Sequence, residues 1–291
     1  METSELIKKV RKIEIKTRGL SKQLFSGEYH SAFKGRGMAF SEVREYSPGD
    51  EIRTIDWNVT ARTGLPHVKV FEEERELTLM LMVDISESEN FGTRVGFKRE
   101  LITELSAIIA FSALQNNDKV GLILFTSEVE LYIPPKKGKG HILRIIRELL
   151  EFHPKRKGTD IGEALRFFNN VQKKRSICFL MSDFFDTGFE HPLKIVSRRH
   201  DTIALKIEDL MEGELPNIGL IQMEDKETGK DYWIDSSNKS TRTQYSNIWN
   251  EEKEALEKLF KKIKVDYIDI ITGESYIAPL QNFFKRRESR R

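Results

Sequence analysis

The chain has 291 residues, of which 38% are hydrophobic and 32% charged; its mean hydropathy is −0.48. That length supports a substantial core beneath a heavily solvated surface. Lys and Arg number 48 against 46 Asp and Glu, a balance that argues against a dedicated nucleic-acid binder. Cys178 is the single cysteine, which excludes an internal disulfide framework and any Cys-x-x-Cys zinc or redox motif.

The longest strongly apolar run near a strand, Leu77–Val83, is far shorter than a membrane span requires. The opening METSELIKKVRK has neither the apolar core nor the cleavage site of a secretion signal. The expectation is a cytoplasmic, reduced, soluble protein.

Residues 1–25 are basic, with Leu6, Val10 and Ile13 at helical spacing, and predict an amphipathic helix with one solvated face. Residues 26–76 are punctuated by Gly27, Gly35, Gly37, Gly49 and Gly64 and show no helical periodicity. They predict a small subdomain of turns and short strands, so that 1–76 stands apart from 77–291. From Leu77 the pattern is regular. Leu77–Val83 reads as a buried strand, and Phe97, Leu101, Leu105, Ile108 and Phe111 as the core face of a helix. Strands at Val120–Phe125 and Val129–Ile133 follow, separated by a tight turn near Ser127. Ile142, Ile145, Leu149 and Phe152 predict a helix, as do Ile161, Leu165 and Phe168. Ser176–Met181 is the next strand, then a short helix at Pro192–Ser197 and a strand at Thr202–Ile207. A hairpin around Thr228-Gly229-Lys230 interrupts the alternation within 215–240. A charged helix near 241–263 turns Trp249, Leu256, Leu259, Phe260 and Ile263 inward. Strand Val265–Ile271, a closing helix with Leu280, Phe283 and Phe284, and a mobile KRRESRR tail complete the chain. Apolar strands alternating with helices predict an α/β fold: a mostly parallel sheet covered by helices on both faces.

In such a sheet, ligands gather at the carboxyl ends of the strands. Asp84-Ile85-Ser86-Glu87-Ser88 follows the first strand, Ser182-Asp183 follows Ser176–Met181, and Lys157-Gly158-Thr159-Asp160 opens a helix on the same rim. Carboxylates and hydroxyls converging there suit a hard divalent cation, Mg²⁺ or Mn²⁺. Each piece also has an ordinary structural reading. Asp84 or Ser86 can cap a turn, Asp160 with Glu163 forms a capping box, and Ser182-Asp183 can be a plain strand-end turn.

Together these residues resemble the metal-ion-dependent adhesion site of von Willebrand factor A domains. The matching positions are Asp84, Ser86 and Ser88, then Thr159, then Asp183. The resemblance implies a Rossmann-like sheet with one antiparallel edge strand, and an ion whose open position a partner's Asp or Glu fills. Sites of that kind bind and usually do not catalyse. One departure is that Glu89 and Asn90 follow Ser88, where many such motifs continue with a small residue and Met.

The stretches Gly27–Ser31, KGRGMAFSEVREYSPGDEIRTIDWNVTART and FEEERELTLMLMVDIS, with Leu215-Pro216 and Glu227-Thr228-Gly229 further on, resemble the family called domain of unknown function 58. That likeness implies a von Willebrand factor A-like domain acting with a MoxR-type AAA+ ATPase in chaperone-like maturation or stress response. Arg36, Arg44, Arg53 and Arg62, mixed with Glu42, Glu45, Asp50 and Asp56, fit either a partner surface or an ion-paired scaffold around Trp57 and Phe40.

Other chemistries lack their residues. No Gly-x-x-x-x-Gly-Lys-Ser/Thr, Gly-x-Ser-x-Gly or His-Glu-x-x-His occurs. The expectation is a non-enzymatic, metal-dependent interaction protein with no catalytic residues. Besides nucleic-acid binding through the basic ends, two rivals stay open: a metal-free scaffold whose rim residues only cap helices, and a Mg²⁺-dependent phosphohydrolase. The second wants a carboxylate where Ser86 stands. Cys178, inside an apolar strand, reads as an inert core thiol.

Overall fold

The computed structural model describes residues 10–17, 39–72, 76–86, 98–225 and 230–289. The chain divides into two compact units, Phe33–Leu77 and the remainder.

In the smaller unit, strands β1 (Ala39–Glu45) and β2 (His67–Glu72) pair antiparallel with an irregularity between Phe40 and Glu42. Between them lies a helix the sequence reading did not anticipate. Residues 10–17 form helix α1, in the larger unit, and Trp57–Thr63 forms α2. Asp56 starts α2 by accepting the N–H groups of Asn58 and Val59, and Gly64 ends it at φ 77°. The signal was there in a capping Asp and a following Gly, but seven residues are too few for periodicity to show. Arg44 grips Asp50 with two nitrogens, at 2.8 and 2.7 Å, as the ion-paired scaffold requires. Trp57 does not form the expected aromatic core: it opens α2 with 68% of its surface exposed, and the side chain of Phe40 lies outside the described residues. Among the described residues of this unit Val68 is a buried apolar side chain.

The larger unit is built on a six-stranded sheet. Its strands are β3 (Thr78–Asp84), β4 (Lys119–Phe125), β5 (Val129–Lys136), β6 (Ile177–Ser182), β7 (Asp201–Glu208) and β10 (Asp266–Ile271), in the order β10-β7-β6-β3-β4-β5. All pairs are parallel except β4 with β5. This is the fold expected from apolar strands alternating with helices. Helices α3 (Lys98–Gln115), α4 (Lys139–Glu151), α5 (Ile161–Val171), α6 (Glu190–Arg199), α7 (Lys239–Ile263) and α8 (Ile277–Ser289) surround it.

Alternate side chains of each strand feed the two faces. Met80, Met82, Cys178 and Leu180 pack with Leu165 and Phe168 of α5, Leu193 of α6 and Phe260 of α7. Burial in this apolar layer raises the Cys178 thiol, in keeping with an inert core position. On the opposite face the Ser106 hydroxyl of α3 lies 3.4 Å from Met181 Sδ. Lys139 of α4 pairs with Glu14 of α1 at 2.6 Å, and Lys16 pairs with Glu104, which attaches α1 to the larger unit.

Strands β8 (Leu220–Asp225) and β9 (Lys230–Asp235) form the expected hairpin; residues 226–229 of its turn lie outside the described residues. The expectation of a mobile KRRESRR tail is corrected through Ser289, where α8 continues. Arg287 binds both oxygens of Asp201, at 2.6 and 2.5 Å, and anchors the helix to the sheet.

Gly121 of β4 shows how closely the layers fit. A Cβ there would lie 2.6 Å from Met80 Sδ and 2.9 Å from the Ile133 carbonyl oxygen. Gly121→Ala is therefore expected to destabilise the protein by about 1–3 kcal/mol in chemical denaturation. Gly140→Ala, in open space on α4, should be neutral or stabilising. Equal effects at the two sites would contradict this packing.

Candidate functional site

From β3 the chain moves to β4 on one side of the sheet; β6, β7 and β10 follow on the other. The crevice between the carboxyl ends of β3 and β6 is thus the switch point at which such sheets bind ligands. Val83 pairs with Met181 in the parallel register, so Asp84 and Ser182 leave their strands side by side.

Asp84 is 1% exposed. Its Oδ1 accepts the backbone N–H of Ser86 at 2.9 Å, and its Oδ2 accepts the Ser182 hydroxyl at 2.7 Å. The first bond bends the chain back as it leaves the strand; the second ties the two strand ends together. Ser86 is buried beside it.

Asp183 is 2% exposed, and its Oδ1 accepts the Phe185 N–H at 3.1 Å. The turn is held by Phe184, whose φ of 62° is a left-handed conformation rare for a large side chain. Its N–H donates to Ser182 Oγ at 3.0 Å. Its ring is buried, with centroids 5.3 Å from Phe260 and 5.9 Å from Phe189. Core packing of that ring therefore fixes where Asp183 points.

The outcome is a pair of carboxylates held out of water next to each other. Burial raises Asp84 and the neighbouring Asp183 charge raises it further, to about 7, against the lowering bonds from Ser86 and Ser182. A buried cation answers this charge. Lys98, the first residue of α3, is fully buried with Nζ 3.5 Å from Asp183 Oδ2 and 2.6 Å from Glu212 Oε1. Burial raises the carboxyl of Glu212, and Lys98 works in the opposite direction.

The loop before α5 brings Thr159 to the same rim. There the Asp160 N–H donates to the Thr126 carbonyl at 2.9 Å, and Asp160 Oδ1 accepts the Glu163 N–H at 2.6 Å. The capping role expected of Asp160 is thus present. Asp186 Oδ2 accepts the Ile161 N–H at 2.8 Å and so ties the loop after β6 to α5. Thr159 and Asp183 line one cleft of about 590 Å³ that runs on past Phe185, Lys206, Trp249 and Leu256. Phe185 and Trp249 face each other with centroids 5.0 Å apart.

Of the expected residues, Asp84, Ser86 and Asp183 gather at the switch point, and Thr159 shares a cleft with Asp183. Ser88, with Glu87, Glu89 and Asn90, lies outside the described residues. Among the described residues no group of three or more His, Cys, Asp or Glu is placed to hold a metal, so an ion here would depend on hydroxyl oxygens as well. The oxygen-only chemistry of Asp84, Ser86, Thr159 and Asp183 fits a hard divalent cation. The sequence reading missed Lys98 and Glu212. No local signal marks either residue, because their pairing depends on two distant stretches of the chain meeting.

Residues 42–255 match the family model described as "Protein of unknown function DUF58". The chain belongs to that family. This DUF58 chain is 28% identical over 232 residues to the uncharacterized protein Rv1480 of Mycobacterium tuberculosis, covering 79% of this chain and 73% of the relative. An aerotolerance-related membrane protein from Bacteroides fragilis is similar in structure at 16% identity and a TM-score of 0.49, over 74% of this chain and 100% of that one. The SpRpn10 VWA domain is similar at 13% identity and a TM-score of 0.38, over 72% of this chain and 94% of that one. Among the described residues of the DUF58 chain, no helix is long and apolar enough to cross a membrane.

The raised Asp84 carboxyl has a consequence for stability. Its folded value lies above the ordinary 3.8, so the folded state holds the proton more tightly than the unfolded chain does. That contribution favours folding at acid pH and is lost as pH rises through about 7. With divalent ions chelated, wild type should fall behind Asp84→Asn in thermal stability on going from about pH 5 to about pH 8. A gap that does not change with pH would contradict the buried-pair geometry.

Proposed function

We propose that this protein is a non-enzymatic, metal-dependent interaction protein. Asp84, Ser86, Thr159 and Asp183, with Ser88 four positions after Asp84 in sequence, hold Mg²⁺ or Mn²⁺ at the sheet rim. An acidic side chain of the partner takes the remaining position. The observation that carries this reading is the pair of buried carboxylates converging at the switch point, Asp84 raised by burial and by Asp183. Two carboxylates placed together away from water are costly unless a cation or a proton relieves them.

A divalent ion bound there supplies an open coordination site for a carboxylate oxygen. The chain's own residues do the rest. Ser182 and the Ser86 N–H orient Asp84; Phe184 and Phe185 orient Asp183. The cleft beside them offers Phe185 and Trp249 as apolar contact next to the charged centre, the combination that protein interfaces favour. Ser86 stands where a phosphohydrolase would want a second carboxylate, which supports binding over hydrolysis.

The partner proposed is a MoxR-type AAA+ ATPase, engaged in the cytoplasm for chaperone-like maturation or stress response; this assignment rests on the family resemblance. The test is a pull-down of that ATPase with Mg²⁺ or with EDTA, using wild type, Asp84→Ala and Asp183→Ala. Binding should require Mg²⁺ and be lost in both variants. In parallel, Mg²⁺ at about a hundredfold excess over its dissociation constant should stabilise wild type by about 2.7 kcal/mol and leave Asp84→Ala unmoved. Full binding by Asp84→Ala in EDTA would replace the proposal with a metal-free scaffold.

A further inference from the structure

We propose that Lys98 is a built-in counter-ion that competes with the divalent ion for Asp183, with Glu212 receiving the ammonium when the ion binds, so that Lys98 sets the affinity of the site. This rests on the metal-binding reading given above.

Three observations carry it. The first is position: Lys98 is fully buried and its Nζ lies between Glu212 Oε1 at 2.6 Å and Asp183 Oδ2 at 3.5 Å. An ammonium kept out of water is costly without carboxylate partners, and here one of those partners is a proposed ion ligand. The second is charge. Asp84, Asp183 and Glu212 carry three carboxylates against the one ammonium of Lys98. When all are ionised these four described side chains sum to two negative charges, the charge that one divalent ion offsets. An ion at Asp84 and Asp183 repels the ammonium, which already makes its shorter contact with Glu212.

The third observation is that Glu212 is fixed in place to receive it. The Glu212 carbonyl accepts the Tyr245 hydroxyl at 2.7 Å and the Gly213 carbonyl accepts the Ser246 hydroxyl at 3.0 Å, both from α7. Glu212 Oε2 also accepts the Asp209 N–H at 3.0 Å. Gly213 is pressed beneath Trp249, where a Cβ would meet the indole nitrogen at 2.9 Å. The acceptor therefore stays put while the ammonium shifts along a short path.

The consequence is opposite in sign for the two partners of the ion pair. Lys98→Met removes the competing cation and should tighten binding. Glu212→Gln removes the carboxylate of the shorter contact, leaves the ammonium more strongly drawn to Asp183, and should weaken binding. A purely structural role for the pair predicts lower stability in both variants and no such divergence in affinity.

The experiment is calorimetric titration of Mn²⁺ and of Mg²⁺ into the EDTA-stripped full chain, for wild type, Lys98→Met, Glu212→Gln and Asp84→Ala. The expected result is binding at least about tenfold tighter in Lys98→Met and several-fold weaker in Glu212→Gln, with none in Asp84→Ala. Binding by Lys98→Met where wild type shows none also supports the proposal. Wild-type binding with equal or weaker affinity in Lys98→Met overturns it and leaves the metal site standing. Absence of binding in every chain overturns both. Should Lys98→Met fail to fold, Glu212→Gln decides, and unchanged or tighter binding there is the contrary result.

Discussion

Two carboxylates, Asp84 and Asp183, are buried side by side at the ends of neighbouring parallel strands, and the rest of the rim is organised around that repulsion. Neither can be relieved by solvent. The protein meets the charge with hydrogen bonds from Ser86, Ser182 and Phe185, with a raised proton affinity at Asp84, and with the buried ammonium of Lys98. An arrangement costly for folding on its own is what the proposed hard cation would relieve.

The fold makes the apposition unavoidable. Parallel pairing of β3 with β6 sets Asp84 level with Ser182, and the reversal of strand order opens a crevice beyond them. Phe184 then converts core packing into site geometry. Its left-handed backbone costs energy that its ring recovers against Phe189 and Phe260. A change in the apolar layer between the sheet and α7 is thus felt at Asp183, and Phe185 and Trp249 extend the same loop–helix contact into the open cleft.

The sheet was legible in the sequence because its strands are continuous apolar runs flanked by helices with clear core faces. Leu77–Val83 and the Leu165, Phe168 and Phe260 positions all lie where periodicity puts them. The rim residues were legible through their place after strands: Asp84 and Asp183 need only the strand ends and a parallel pairing. What stayed hidden depends on distant parts of the chain meeting. Lys98 and Glu212 are 114 positions apart in number, and nothing local marks either as buried. Helix α2 escaped because seven residues carry too little periodicity, and Trp57 proved exposed since it opens that helix on an outer surface. The charged tail looked mobile from composition, but Asp201 holds Arg287 and extends α8.

The most direct measurement is a crystal structure grown with Mn²⁺ and read by anomalous scattering at the manganese edge. The expected result is one strong peak at the β3–β6 crevice, about 2.0–2.3 Å from oxygens of Asp84, Ser86 or Asp183, with Lys98 Nζ drawn off Asp183 toward Glu212. An empty crevice with Lys98 still against Asp183, in crystals soaked well above millimolar Mn²⁺, would contradict an ion-binding rim and leave the lysine as the permanent counter-charge of a scaffold.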